Sequence, residues 1–229
     1  MAEMKKKLQA WSYSLYTTWK ECPRKARYRA IDRVKTPAKP KPALERGIHI
    51  HKLAERYLLG DITGIPKELK FFDKEFRNLK KANPDPEKDV AVTRSWSPTT
   101  FDDWNNVWCR AKLDAVVQDG KALHLIDFKT GRMYGTNKDQ IELYVPLAAA
   151  HYPDVETIEV ELWYLDQDDM PPPVEYTKKS FPAIRKAWEK RVKPMMNDTE
   201  FPATPSEQAC KWCPYKTSEG GPCEEWMKS

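Results

Sequence analysis

The sequence predicts an α+β (α/β) domain, a mixed central sheet of about five strands flanked by helices. Two stretches, DVAVTRSWS and ETIEVELWYL, alternate with the period of a strand. VWCRAKLDAVV and ALHLIDFKT flank the short QDGK, which reads as a hairpin because Asp119-Gly120 is a favoured tight-turn pair. Helical spacing fills most of the chain before these strands and returns between and after them.

Taken in order, YSLYTTWKECPRKARYRAI reads as helical, capped by Ser12 or Ser14. Pro23 cannot continue a helix, so the first stops near Cys22 and a second restarts with Pro23 at its first position. KTPAKPKPA is a basic, proline-rich linker. ALERGIHIHKLAERYLLG is a further helix closed by Gly60, and an amphipathic stretch follows over 66–82. After the hairpin, NKDQIELYVPLAAAHY is helical despite Pro146, PVEYTKK is a last strand, and 180–193 is a last helix before an irregular tail. The expected organisation is one domain over 1–229, with a helical N-terminal part (12–85), a core (86–195) and a cysteine-bearing tail (196–229).

Composition narrows the class. Of 229 residues, 40% are hydrophobic and 32% charged, which fits a globular chain and excludes a disordered or fibrous one. The longest apolar run, 145–150, is far too short to span a membrane. MAEMKKKLQAW has lysines with no apolar stretch behind them, so no secretory signal is expected. A cytoplasmic setting follows, where structural disulfides are not expected. From Lys20 to Lys41, nine Lys or Arg stand against Glu21 and Asp32, a density that suits a phosphate backbone or a solvated basic face.

Chemistry concentrates in the hairpin. Side chains alternate along a strand, so Asp127 and Lys129 share a face, opposite to Phe128. If Asp114 stands near Asp127, the two carboxylates repel and raise one pKa unless a cation sits between them. Oxygen donors favour Mg²⁺ or Mn²⁺. D-x-K alone equally describes a cross-strand salt bridge. His51 and Glu55 lie one helical turn apart, so His51 is a candidate ligand and Glu55 a residue that orients it. Gln140 and Tyr144 are spaced the same way after the lysine strand.

G-x-x-x-H (47–51), K-x-D (112–114), I-D-F-K-T-G (126–131) and Q-x-x-x-Y (140–144), in this order, resemble the RecB-like branch of the PD-(D/E)xK nuclease superfamily. The resemblance covers about 13–223, although the proline of the superfamily's name is absent near Asp114. It implies a restriction-endonuclease-like core and a metal site of His51, Asp114, Asp127 and the Phe128 carbonyl, with Lys129 as catalytic lysine. It also implies that Gln140 and Tyr144 contact the substrate strand. The activity implied is metal-dependent hydrolysis of DNA phosphodiesters, as an exonuclease on single strands or ends. Recombination, repair, phage DNA processing and CRISPR adaptation are all compatible settings.

Five cysteines are present, and CKWCPYKTSEGGPC places Cys210, Cys213 and Cys223 together. With Cys22, four thiolates suit zinc or an iron–sulfur cluster, and spacing alone does not choose. ECPRKARY and CKWCPY resemble the paired signatures of AddB and the CRISPR-associated RecB-like exonucleases, which implies a 4Fe-4S cluster on Cys22, Cys210, Cys213 and Cys223. Zinc stays as the alternative, because the inserted KTSEGG makes the last gap longer than in that family. Such a cluster would staple the N- and C-terminal regions by closing a loop of about 200 residues. Cys109 is expected in the core.

For substrate, Lys20, Arg24, Lys25 and Arg27 are candidate phosphate contacts, and Trp11, Tyr13, Tyr16, Trp19, Trp104 and Trp108 candidate stacking platforms. No phosphate-binding loop G-x-x-x-x-G-K-[ST] occurs, so any helicase is a separate partner, as a recombinase or integrase-type protein would be. Two other classes fit parts of the pattern: a catalytically silent DNA-binding module, and a zinc-stapled adaptor that binds protein.

Overall fold

The computed structural model describes residues 7–37, 41–131, 137–167 and 169–226. Lys39 and part of the proline-rich linker lie outside them. The chain divides into two compact units, 41–186 and a second made of 1–40 with 187–229.

The larger unit is built on a six-stranded sheet: β1 (Asp85–Val92), β2 (Pro98–Thr99), β3 (Cys109–Asp119), β4 (Ala122–Lys129), β5 (Thr157–Tyr164) and β6 (Val174–Thr177). Their order is β2-β1-β3-β4-β5-β6. Only β4 and β5 pair in parallel; every other neighbouring pair is antiparallel. The sixth strand beyond the expected five is β2, two residues long.

A parallel pair needs a crossover, and the helix between β4 and β5, Asn137–His151, supplies it. In chain order the helices are α1 (Tyr13–Glu21), α2 (Pro23–Ala30), α3 (Pro42–Leu59), α4 (Asp73–Lys81), the crossover α5, α6 (Phe181–Asn197) and α7 (Glu207–Lys211). Ile50, Ala54 and Tyr57 of α3 and Phe76 of α4 form one core with Ala115, Ile126, Phe128 and Trp163 of the sheet. Its aromatic rings meet at 5.1 Å (Phe76–Phe128) and 5.3 Å (Phe76–Trp163). α5 lies along β1, β2 and β3, and its Tyr144 bonds Asp127, which points away from Phe128. Helices therefore cover both faces. Ile141, Leu143, Tyr144, Val145, Leu147 and Ala148 are all buried, so α5 is apolar around most of its circumference, unlike the amphipathic α4.

The hairpin turn differs from expectation by one residue. Asp119 pairs with Ala122, leaving Gly120 and Lys121 as the loop, and Gly120 alone of the two has positive φ (56°). That is the pattern of a type II′ turn, which wants Gly first. A turn centred on Asp119-Gly120 would place Asp114 opposite Leu125. The observed register, continued beyond Ala115–Ile126, places it opposite Asp127.

In the smaller unit, Ser12 caps α1 by accepting from the Leu15 N–H at 3.3 Å, and Pro23 opens α2. Trp188 is fully buried and stacks on Trp11 at 5.8 Å, with Tyr13 and Tyr16 edge-on. No described helix is long and apolar enough to cross a membrane.

Candidate active site

Three adjacent strands bring three carboxylates into one row. In the β1–β3 register, Pro86 pairs with Ala115 and Lys88 with Leu113, so Glu87 falls opposite Asp114, which in turn faces Asp127 of β4. The ladder is interrupted there. Glu87 holds a left-handed backbone (φ 52°), unusual for a side-chain-bearing residue, and the Asp114 carboxylate accepts the Phe128 N–H at 2.7 Å. Side-chain oxygen thus stands in where strand pairing ends.

α3 reaches the row because Gly47 lets it approach: a Cβ at that position would lie 3.1 Å from the Thr130 hydroxyl. One turn later, His51 Nδ1 lies 3.3 Å from Asp114 Oδ1 and 3.6 Å from Glu87 Oε1. Donor atoms of His51, Glu87 and Asp114 all fall within 4.8 Å of one another, a set able to hold a metal ion. Burial opposes charge on His51, but the bonds to Asp114 and Glu87 outweigh it and raise its pKa to about 10. Burial and then the charge of Asp127 raise Asp114 to about 6, against the bonds from His51 and Phe128.

Beside this set, Lys129 Nζ lies 2.6 Å from Asp127 Oδ2 and donates to Gln140 Oε1 at 2.8 Å. Gln140 Nε2 donates to the Tyr144 hydroxyl at 2.6 Å, which donates to Asp127 Oδ1 at 2.9 Å. Asp127 is 2% exposed, and its Oδ2 touches the lysine without an aligned hydrogen bond, which leaves lone-pair capacity for another ligand. Burial, then the charges of Asp127 and Asp114, hold the Tyr144 phenol well above its usual range, so it stays a donor. After the lysine, Asp166 accepts the Gly131 N–H at 2.7 Å and pairs with Arg46. All these groups except Asp166, Arg46 and Gly131 line one cleft of about 700 Å³.

The structure therefore gathers His51, Asp114, Asp127, Phe128, Lys129, Gln140 and Tyr144. Glu55 lines the same cleft but pairs with Lys52 at 2.7 Å, one turn away on its own helix; the groups holding His51 are Asp114 and Glu87. Gln140 and Tyr144 line the cleft and spend polar atoms on Lys129 and Asp127. Glu87 is the residue that sequence reasoning overlooked. DPEKDVAV shows a charged strand start, and only the register reveals which acid meets Asp114.

Most of the remaining candidates belong to the smaller unit. Lys25 pairs with Glu21 at 2.8 Å, Arg27 with Asp32 at 3.0 Å, and Arg24 donates to the Phe201 carbonyl at 2.8 Å. Lys20 sits 5.8 Å over the Tyr16 ring. Trp11 and Tyr16 are core, not stacking platforms, because Trp188 covers them; Trp19 donates to Asp198 at 2.8 Å. In the larger unit, Trp108 is buried against Trp96, whereas Trp104 is half exposed with the Arg110 guanidinium 4.2 Å from its ring.

Cys22, Cys210, Cys213 and Cys223 line a single small pocket, while Cys109 is fully buried in β3. Cys22 sits between α1 and α2. The inserted KTSEGG folds as a 3₁₀ turn, Thr217–Glu219, and Lys216 bridges Cys223. A Cβ on Gly221 would meet the Tyr215 backbone at 2.3 Å, so only glycine lets the loop close and return Cys223 beside Tyr215. The long gap is looped out.

A family model for the PD-(D/E)XK nuclease superfamily matches residues 10–105 and 80–218. The chain belongs to the PD-(D/E)XK nuclease superfamily. Members use divalent metals in phosphodiester hydrolysis, which agrees with the acidic set around His51. No curated protein matches the chain. Among solved structures, it resembles a protein of Eubacterium rectale called a "Putative exonuclease" at 10% identity and a TM-score of 0.53, over 96% of this nuclease and 91% of that chain. At that identity the likeness shows the fold alone. A second structure, SSO0001, aligns at 16% identity over 97% of this chain and 89% of its own, with a TM-score of 0.44, too loose to bear on the fold.

Proposed function

We propose that this nuclease is a divalent-metal-dependent deoxyribonuclease of RecB-like type, acting as an exonuclease on single-stranded DNA or DNA ends. The observation that carries this reading is the meeting of a metal-capable set, His51, Glu87 and Asp114, with the Asp127–Lys129 pair in one cleft. The donors fit Mg²⁺ or Mn²⁺: carboxylate oxygens and one imidazole, with Asp127 Oδ2 and the Phe128 carbonyl as further oxygens. A bound cation supplies Lewis-acid polarisation of the phosphoryl group and a more acidic water. Lys129, braced by Asp127 and Gln140, orients the attacking water and meets the charge that builds on the phosphate. Tyr144 donates to Asp127 Oδ1 and so holds that carboxylate in place beside Lys129.

The four-thiol pocket is read as the seat of a 4Fe-4S cluster. What supports that reading is the likeness of ECPRKARY and CKWCPY to iron–sulfur signatures and the four thiols around one pocket, with zinc as the alternative. The cluster's work is structural, tying Cys22 to the tail. Recombination, repair, phage DNA processing and CRISPR adaptation each call for such a nuclease, with a helicase or integrase-type partner supplied separately.

The test is degradation of end-labelled single-stranded and duplex DNA with Mn²⁺ or Mg²⁺, comparing wild type with Asp127→Ala and Lys129→Ala. Metal-dependent cleavage lost in both variants supports the reading. Cleavage unchanged in both variants, or absent in the wild type, rejects it.

A further inference from the structure

α3 carries two apolar stripes. Ile50, Ala54, Tyr57 and Leu58 are buried in the core. Leu44 and Ile48 are not: they are 56% and 62% exposed, and they line the catalytic cleft. Spaced at i, i+4 and i+7, Leu44, Ile48 and His51 share one helix face. The two aliphatic side chains lie outside the core that packs on the sheet and stand together on the cleft wall.

The cleft's charges make the choice sharper. Its lysines already have carboxylates within reach: Lys52 with Glu55, Lys112 with Asp89 at 3.1 Å, Lys129 with Asp127. Glu87 and Asp114 add further negative charge. Apart from a bound cation, the walls therefore offer little to a row of phosphates and an apolar surface to something flat. A duplex hides its base faces; an unpaired strand exposes them. We infer that Leu44 and Ile48 form a nucleobase subsite that holds unpaired bases of the substrate strand next to the scissile phosphate.

The spacing suits this. At 1.5 Å per residue, Ile48 and Leu44 lie about 4.5 and 10.5 Å along the helix from His51, within the reach of the few nucleotides that flank a phosphate held at the metal set. The subsite rests on the nuclease reading for its scissile phosphate, and it names the substrate as a strand with free base faces.

An abasic oligonucleotide tests it, because it carries the same phosphates without bases. Binding, by fluorescence anisotropy, and Mn²⁺-dependent cleavage are measured for a short intact strand and a fully abasic strand of equal length. The full chain is used, as wild type and as Leu44→Ser/Ile48→Ser. Both positions are exposed, so the variant should fold, and circular dichroism checks that it does. The wild type is expected to prefer the intact strand by roughly tenfold, and the variant to lose most of that preference while binding the abasic strand as before. Equal handling of both strands by the wild type, or a preference unchanged in the variant, overturns the subsite. If nothing is cleaved but the base-dependent binding is present and lost in the variant, the subsite stands and the nuclease reading fails. Cleavage without base preference removes the subsite and leaves the nuclease reading in place.

Discussion

The Asp114 carboxylate accepts the Phe128 backbone N–H at 2.7 Å, and in doing so it joins two functions. One oxygen closes the end of the β3–β4 ladder, and the other faces His51 at 3.3 Å. The site is fixed by the same bond that finishes the hairpin, so the geometry of the proposed active site is inherited from strand register.

This dual role separates two substitutions. Asp114→Asn keeps an oxygen for the Phe128 N–H and removes a charge that burial disfavours, whereas Asp114→Ala leaves that N–H unpaired. Both variants should lose cleavage. In metal-free protein the alanine variant should be less stable than the asparagine variant by roughly 1–3 kcal/mol. Urea unfolding in chelator checks the difference; equal stabilities would show that the bond contributes nothing to the fold.

Glu87 offers a comparable separation, of strain from chemistry. Its φ of 52° costs a side-chain-bearing residue roughly 1–2 kcal/mol, which glycine avoids. Glu87→Gly should therefore be at least as stable as Glu87→Ala, while both bind Mn²⁺ roughly 10- to 100-fold more weakly and cleave slowly. Isothermal titration with Mn²⁺ and thermal melts read the two effects apart. Unchanged Mn²⁺ affinity in both variants would remove Glu87 from the metal set.

Much of this arrangement was legible in the chain because it follows from short periods. The strand alternation that separates Asp127 and Lys129 from Phe128, the Pro23 helix start and the Gly60 cap are local, and each reads directly from residue type. What was not legible depended on register or on competition. Sliding the turn to Gly120-Lys121 moves Asp114 from opposite Leu125 to opposite Asp127, a two-residue change that no propensity dictates. Glu87 carries no sequence signal for positive φ, which asparagine or glycine would have given. Glu55 has the right helical spacing to His51, yet Lys52 on the same helix claims it. The aromatic residues before Cys22 were ambiguous because core and stacking platforms want the same side chains; Trp188, about 170 positions away, decided it for Trp11 and Tyr16.

The thiol pocket yields a colour test. Anaerobically purified protein should be brown, with a broad absorbance near about 400 nm, and Cys22→Ala, Cys210→Ala, Cys213→Ala or Cys223→Ala should each reduce it strongly. Cys109→Ala should leave the spectrum intact, since that thiol is buried in β3, apart from the pocket lining. Colourless protein that releases one zinc per chain would move the pocket to a zinc tetrathiolate.

His51 sets a pH dependence that differs between the metal-free and metal-loaded protein. Its folded-state pKa of about 10 lies above the ordinary 6.5, so the native chain keeps a proton that the unfolded chain has released. The stability this contributes is fully present below about pH 6.5 and is lost as pH rises through about 10. Asp114 acts in a lower window: raised from 3.8 to about 6, it weakens the fold as pH climbs between those values. Metal-free protein should thus melt at progressively lower temperature from pH 6.5 to 10, and His51→Ala should flatten that slope. With Mn²⁺ the imidazole must give up its proton to ligate, so the melting-temperature gain from metal should grow with pH over the same range. Thermal melts at several pH values, with chelator and with Mn²⁺, measure both slopes. A slope in chelator that is the same in wild type and His51→Ala would place the titrating group elsewhere.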